Sequence, residues 1–509
     1  MTSRGPAIKW GIAAAAALLV LVAVAWISNG ALSRWARDRA IQGLQSKFAS
    51  DLEFKDLNVQ VFPRFRLTGD EFVLHYRGRR DLPPLIHIRR VSAEAGITAL
   101  LRGRVRRVRL EGLEVTVPPK SERAPAEKKS NSERIVGFVI EEIIADGTTL
   151  KTLPKDPQKE PLEWDIRRLT LHDAGPYSPM SFHATLTNAK PPGDIESTGK
   201  FGPWSTGEPG DTPVQGTYIF QNADLSVFKG ISGILSSQGS YAGVLERIEA
   251  QGETDTPDFA VKVAGNPVHL TTQFHAIIDG TDGNTLLQPV TGQFGHSSLI
   301  ARGGVVGVKG VKGKTVSLDV TVEDGRLEDM LLLGVKGRNP TMTGAIAFRT
   351  KLVIPPGDVD MAKKMKLDGG FKIGSAHFSK LDLQQKVNQL SHRGQGQPKE
   401  AVTDTVASDF AGQFKLDKGT MTFQALSFRV PGVRVALNGT YELQGGDLDF
   451  HGQAKLEAKL SQTVTGFKSF LLKAVDPFFA KKDAGAVIPI KITGTRDKPS
   501  FGLDLRAQK

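Results

Sequence analysis

The residues able to do chemistry in this chain are ten histidines, a glycine- and lysine-rich stretch, and a few paired acids. A zinc hydrolase would need HExxH, which puts two imidazoles one helical turn apart with a glutamate base between them. The sequence holds no such motif and no other paired-ligand spacing. His269 and His275 are the closest useful pair. They share a strand-like stretch with Leu270 and Phe274 and read as ordinary strand residues. There is no cysteine, which excludes disulfides, zinc–thiolate sites and cysteine nucleophiles. No GxSxG elbow occurs. GVVGVKGVKGKT, residues 304–315, imitates a phosphate loop. A true P-loop needs glycine five positions before the glycine that precedes its lysine. Gly313 precedes Lys314, but position 308 is valine, and SLDVTV follows where a helix is required. The stretch reads as a basic β-turn. Glu141 and Glu142 have no evident sequence partner and are expected to face solvent. The expectation is a non-enzyme with no cofactor and no metal.

What remains is the pattern of the elements themselves. VIPIKITGTRDKPSFGLDL, residues 487–505, places Ile488, Ile490 and Ile492 on one face of a strand. Phe501, Leu503 and Leu505 repeat the alternation after a turn, so the hairpin is apolar on one side. From residue 180 onward the same style recurs. SFHATLTN, VHLTTQFHAII, TVSLDVTVEDG, MTGAIAFRTKLVI and VRVALNGTYEL are all short alternating segments bounded by glycine-rich turns. Hydrophobic content is 39% and aromatic content 7%, which suits thin sheets better than a thick core. The fold class is therefore mainly β, a meandering antiparallel sheet. Helical spacing is rare: a short piece near ITALLRG, LDLQQKVNQLS at 381–391, and an amphipathic run at 459–480. In that run Leu460, Val464, Phe467, Leu471 and Val475 form a stripe, with Lys468 and Lys473 among them. Such a helix either caps the open end of the sheet or lies on a bilayer.

The hairpin has a partner in the sequence. QGETDTPDFAVKV at 251–263 aligns with TGTRDKPSFGLDL at 493–505. Gly252, Asp255, Pro257 and Phe259 match Gly494, Asp497, Pro499 and Phe501, and Val261 and Val263 match Leu503 and Leu505. The alignment predicts a reused unit of strand, glycine, acidic turn, proline and strand.

WGIAAAAALLVLVAVAWI, residues 10–27, carries no charge. As a helix it is about 27 Å long. Trp10 and Trp26 bracket it at interfacial positions, and Leu18, Leu19 and Leu21 sit at its centre. A cleaved signal peptide competes, with Ala23-Val24-Ala25 as its cleavage site. The apolar run continues through Trp26 and Ile27, which favours an uncleaved anchor. The expected organisation is a stub and transmembrane helix at 1–32 and a β region with a leading helix at 33–119. A charged loop, KSERAPAEKKSNSE, follows at 120–133, and an elongated β body fills 134–509. HRGQGQPKE at 392–400 reads as a second loop. Net charge is +12. The densest cluster is Arg102, Arg104, Arg106, Arg107 and Arg109. It is either the solvated side of a strand or a contact with lipid headgroups. No nucleic-acid module accompanies it, so no nucleic-acid partner is expected.

With its N-terminal helix, VQVFPRFRL at 59–67, GDIESTGKFGPW at 193–204, LSVFKGISGILSSQGSYAG at 225–243 and the PIKITGTRDKPSFGLDL close, the chain resembles the AsmA family. The resemblance implies an inner-membrane anchor with the body in the periplasm of a diderm bacterium. It also implies an elongated, curled sheet whose concave face is an apolar groove, as in bridge-like lipid-transfer proteins of envelope and outer-membrane biogenesis. About 25 strands at about 4.8 Å would span about 120 Å if all stack in one sheet. Residues expected to line the groove are Ile488, Ile490, Ile492, Phe501, Leu503, Leu505, Phe259, Val261 and Val263. Expected partners are phospholipid or other acyl lipids, the inner membrane and other envelope proteins. Arg102, Arg104, Arg106, Lys468 and Lys473 are candidate membrane-surface contacts. The alternative is a non-enzymatic envelope scaffold whose sheet faces close on each other.

Overall fold

Alternating segments of this kind can pair only with their neighbours unless long connections intervene. In a computed structural model they do so almost throughout. The structure describes residues 52–504 with interruptions, the longest being 119–138, 155–160, 204–208, 398–405 and most of 460–484. The expected anchor with Trp10, Leu18, Leu19, Leu21 and Trp26, the leading helix and the 120–133 loop lie outside the described residues. So do Lys468, Lys473, Val263, Leu505 and nearly all of the 459–480 run.

The first strands are β1 (Leu52–Glu53), β2 (Asp56–Gln60), β3 (Phe65–Leu74), β4 (Ile86–Ala95), β5 (Arg104–Val117), β6 (Val139–Thr152), β7 (Leu162–Ala174), β8 (Met180–Ala189) and β9 (Pro192–Phe201). A middle group follows: β10 (Pro213–Asp224), β11 (Ile231–Ser232), β12 (Ile234–Val244), β13 (Arg247–Val261), β14 (Val268–Asp279), β15 (Thr285–Phe294) and β16 (Ser297–Gly307). The last group is β17 (Lys314–Arg326), β18 (Met342–Ile354), β19 (Lys366–Phe378), β20 (Ser408–Asp417), β21 (Thr420–Val430), β22 (Val433–Glu442), β23 (Asp447–Leu456), β24 (Ala486–Thr495) and β25 (Lys498–Leu503). All 25 belong to one curled sheet. β1 and β2 both pair with β3 and share one rung. β11 and β12 share another on β13. The 23 resulting rungs, at about 4.8 Å each, bound the length along the ladder at about 105 Å.

The expected antiparallel meander holds at every pairing but one. β5 and β6 run parallel. Parallel neighbours need a crossover of a dozen or more residues, and the charged 120–133 stretch falls within that connection. Its length was a topological signal that alternation alone does not carry.

Strand accounts for 70% of the structure, so few helices are left to cover the sheet. Among the described residues only α1 (Leu327–Gly334) and α3 (Leu381–Gly394) reach eight residues; α2 (Met361–Lys364) is a single turn. α3 extends the predicted 381–391 helix to Gly394 and so takes His392–Gly394 from the expected loop. Val387 and Leu390 of α3 pack on Val430, Val433, Val435, Leu456 and Ala486. Leu327 of α1 packs with Ile346, Ile373 and Ala376. The buried Asp329 carboxylate accepts from His296 N and Ser297 Oγ, both at 2.8 Å, and ties α1 to the β15–β16 turn. Both helices sit at the same margin, where odd- and even-numbered strands of this half meet their turns near residues 326, 342, 378, 408 and 430.

The proposed sequence repeat does not survive as a repeat of structure. Residues 251–261 lie inside one strand, β13, with a bulge between Thr256 and Phe259. Residues 493–503 cross the turn from β24 to β25. The matched glycines do different work. Gly494 has φ +92° at a strand end, where L-residues are strained. A Cβ on Gly252, in mid-strand, would lie 2.4 Å from Gln238 O.

β25 is an edge strand, and its end is clamped. His451 Nδ1 lies 2.7 Å from Asp504 Oδ2, and its Nε2 lies 3.0 Å from Asp449 Oδ1. The Asp504 carboxylate, then that of Asp449, raises the imidazole pKa above its usual 6.5, against a smaller lowering by desolvation. A raised pKa places this contribution at full strength below pH 6.5 and removes it as pH rises through the folded value. Hydrogen exchange, corrected for intrinsic rates, is therefore expected to show β25 protection falling as pH is raised from 6 to above 8. His451→Gln should abolish that dependence; an unchanged pH profile in the variant would exclude the clamp.

Candidate functional site

In a ladder, residues opposite one another share a face, so register decides whether apolar positions on separate strands meet. Here they do. Val322, Phe348, Phe371, Gly412, Leu426, Leu437, Gly452, Ile490 and Leu503 form one transverse row from β17 to β25. Leu318, Leu352, Leu367, Leu416, Met421, Tyr441 and Leu448 form a second row on the same face. That row continues backwards through Gly303, Leu287, Ala276 and Ala250 to Tyr241 on β12. One face is thus apolar in register from the middle of the chain to its last strand. Most of its large side chains are half-buried: Phe348, Phe371, Leu426 and Leu437 are neither sealed nor fully exposed.

In the first half the same face curls around a cavity of about 740 Å³. Its walls come from β1 to β14 and are almost wholly aliphatic or aromatic. Phe72, Ile88, Leu113, Ile143, Leu169, Leu171, Met180 and Phe182 are among them. The alternation Ile86/Ile88 and Val115/Val117, legible in the sequence, supplies part of this wall. Lys314, of the false phosphate loop, stands at the rim beside Asp279 and donates to Gly283 O.

Between the cavity and the second half the apolar face narrows to a band of hydroxyls. Ser197 Oγ meets Tyr241 Oη at 2.7 Å, Tyr218 Oη meets Ser237 Oγ at 3.0 Å, and Thr254 meets Thr272 at 2.7 Å. The two tyrosine rings lie across strand glycines. A Cβ on Gly216 would be 3.0 Å from Tyr241 Oη, and one on Gly252 would be 2.9 Å from Tyr218 Oη. Burial raises both phenol pKa values, and the serine hydrogen bonds partly offset it. Sequence reading passed over this band because its glycines look like turn residues.

The predicted lining residues divide. Ile488 and Ile490 pack beside the α3 cluster. Ile492 pairs with Phe501, and Ile490 with Leu503, so all four share the apolar face as expected. Yet Phe501 is 73% and Leu503 53% exposed, because among the described residues β25 pairs only with β24. Phe259 and Val261 lie past the β13 bulge at the helix-bearing margin and do not line the cavity.

The arginine cluster is the solvated side of β5. Arg104, Arg106, Arg107 and Arg109 are exposed, while Val105 and Val108 between them are buried. The acids left without a partner in the sequence find one here: Arg104 pairs with Glu141 and Arg107 with Glu142. The parallel β5–β6 register creates these pairs, and strand alternation alone does not specify it. His269 bonds Asp255 on the neighbouring strand, as an ordinary strand residue does. Among the described residues no group of three or more His, Asp or Glu is placed to hold a metal. No family model, curated protein or solved structure matches the chain.

Gly252→Val adds a strand-favouring side chain where Gln238 O and Tyr218 Oη already stand. It should cost about 1–3 kcal/mol of stability by urea unfolding. Gly374→Ala, whose added Cβ meets nothing within 4 Å, should be near neutral. Equal stabilities would show that the band tolerates bulk.

Proposed function

We propose that this chain is a membrane-anchored periplasmic protein that binds and transfers lipids, holding acyl chains along the apolar face of its sheet. The observation that carries the reading is the register: apolar side chains meet across strand after strand, and the helices among the described residues cover only one margin. A one-faced antiparallel sheet normally buries that face on protein. Here its large side chains stay half-buried, which favours an apolar guest over sheets closed on each other. Burial is worth about 0.8 kcal/mol per methylene, so chain length would set affinity more than headgroup identity does. The mechanism is partition: chains leave the bilayer, occupy the curled first half, and move along the face towards β25. No proton transfer or nucleophile is needed, and the protein would act without enzymatic chemistry or cofactor. The AsmA-like role in envelope and outer-membrane biogenesis follows from the same reading. One observation favours the scaffold alternative, the exposed Phe501 and Leu503 on an open edge strand, which suit contact with another envelope protein.

A photo-crosslinking amino acid placed in the full chain tests the reading in cells. Positions 169, 371 and 437 on the apolar face should capture phospholipid or another acyl lipid. Positions 168, 368 and 415, on the opposite face, should not. Capture of protein alone at the apolar positions would favour the scaffold, and equal lipid capture on both faces would rule out the groove.

A further inference from the structure

The opposite face of the sheet follows a rule of its own. Cations there are matched to acids on the next strand: Arg66 to Glu94, Arg90 to Asp70, Lys151 to Glu163, Lys415 to Asp368 and Arg349 to Glu323. One row breaks the rule. Arg429 on β21 stands opposite Arg434 on β22, and Arg434 stands opposite Lys455 on β23. Three like charges thus occupy three successive rungs, about 4.8 Å apart. Like charges directly opposite one another destabilise a sheet. Among the described residues, none of the three has an acidic partner within ion-pair distance. The one acid in the row, Asp409, lies opposite Arg429 but accepts the N–H of Ser375 at 3.1 Å.

The row also faces a concavity. Arg429, Arg434 and Lys455 all line a cavity of about 1350 Å³, together with Lys372, Asn438 and Gln453, with Arg349 and Glu323, and with members of the apolar row such as Phe371 and Leu437. Two guanidinium forks without an acidic partner, two ammonium groups and neutral amide donors therefore line one hollow, whose third arginine, Arg349, is paired with Glu323. Guanidinium forks match the paired oxygens of a phosphate, and ammonium groups add charge without directional demand.

We propose that this hollow is a phosphate-binding site, in which Arg429 and Arg434 grip the oxygens and Lys455 and Lys372 complete the charge. The ligand is a phosphate monoester or diester, carried either by a soluble molecule or by a lipid headgroup. The proposal concerns the face opposite the apolar one and does not rest on lipid transfer. A bound phosphate would also relieve the repulsion that the register imposes on the empty row.

The test uses the full chain in nonionic detergent micelles and reads its thermal unfolding midpoint. Inorganic phosphate is expected to raise the midpoint beyond chloride at equal ionic strength, as a ligand specific to the folded state must. Arg434→Gln should weaken the phosphate response about tenfold. Arg434→Lys should restore only part of it, because a point charge cannot grip two oxygens. The triple glutamine variant at 429, 434 and 455 should unfold no earlier than wild type in chloride, since it removes like-charge neighbours, and should ignore phosphate. A response to inorganic phosphate assigns soluble phosphate esters. A response only when phosphatidylglycerol replaces phosphatidylcholine in the micelles assigns headgroups. No response beyond chloride to either probe overturns the proposal. So does an undiminished response in Arg434→Gln, or an equal response to polyglutamate.

Discussion

Register is the constraint on which the rest of this molecule depends. A shift of one residue in any ladder would send that strand's apolar side chains to the other face. Across β17 to β25 no pairing makes that slip. Five of those eight pairings are bulged or irregular at one place, and at each the apolar rows resume on the same side. The bulges add bend and twist without exchanging faces, which lets a long sheet curl while its lining stays apolar. The curl in turn makes the enclosed volume of the first half and the open face of the second.

Polar chemistry is sorted by the same register. On the outer face, cross-strand ion pairs such as Arg90–Asp70 and Arg107–Glu142 are exposed and each worth little. Their value is in marking the correct register, since a slipped strand would place like charges together. The Arg429–Arg434–Lys455 row is where that logic is reversed, and so it stands out. In the central band of the inner face the hydroxyls satisfy one another, as in Ser197–Tyr241 and Tyr218–Ser237. Bulky side chains are kept off the strands beneath, and Gly216, Gly239 and Gly252 let two rings lie close to the backbone.

Much of the fold was legible because strand alternation is a local property. The one-sided hairpin at 487–505, the strands from residue 180 onward and the helix near 381 could all be read without tertiary information. What was not legible is what depends on which strand lies beside which. The parallel β5–β6 pair supplied partners for Glu141 and Glu142 that no local pattern announces. The match of 251–263 with 493–505 rested on shared residue types, yet glycine in one copy clears space for a ring and in the other turns the chain. The groove-lining assignments show the same limit. Ile490 and Leu503 share the apolar face, but Ile490 packs beside the α3 cluster while Leu503 is exposed on a strand paired, among the described residues, on one side only. The apolar cavity lies in the first half, among residues such as Ile143 and Leu169 whose alternation was no stronger than elsewhere.

A meander of 23 rungs has an energetic consequence. Each strand contacts chiefly the strands before and after it, so stability is close to a sum of neighbouring interfaces, as in repeat proteins. An interior strand is held on two sides and an edge strand on one. The two ends should therefore open first, and devices that hold them matter more than their size suggests. At the final edge the device is His451, which reaches from β23 across β24 to Asp504 just past β25. It fastens the strand with the most exposed apolar side chains to the second strand inward. Guarding that edge with a polar clamp, rather than with more apolar cover, keeps the end of the apolar face open while limiting its fraying.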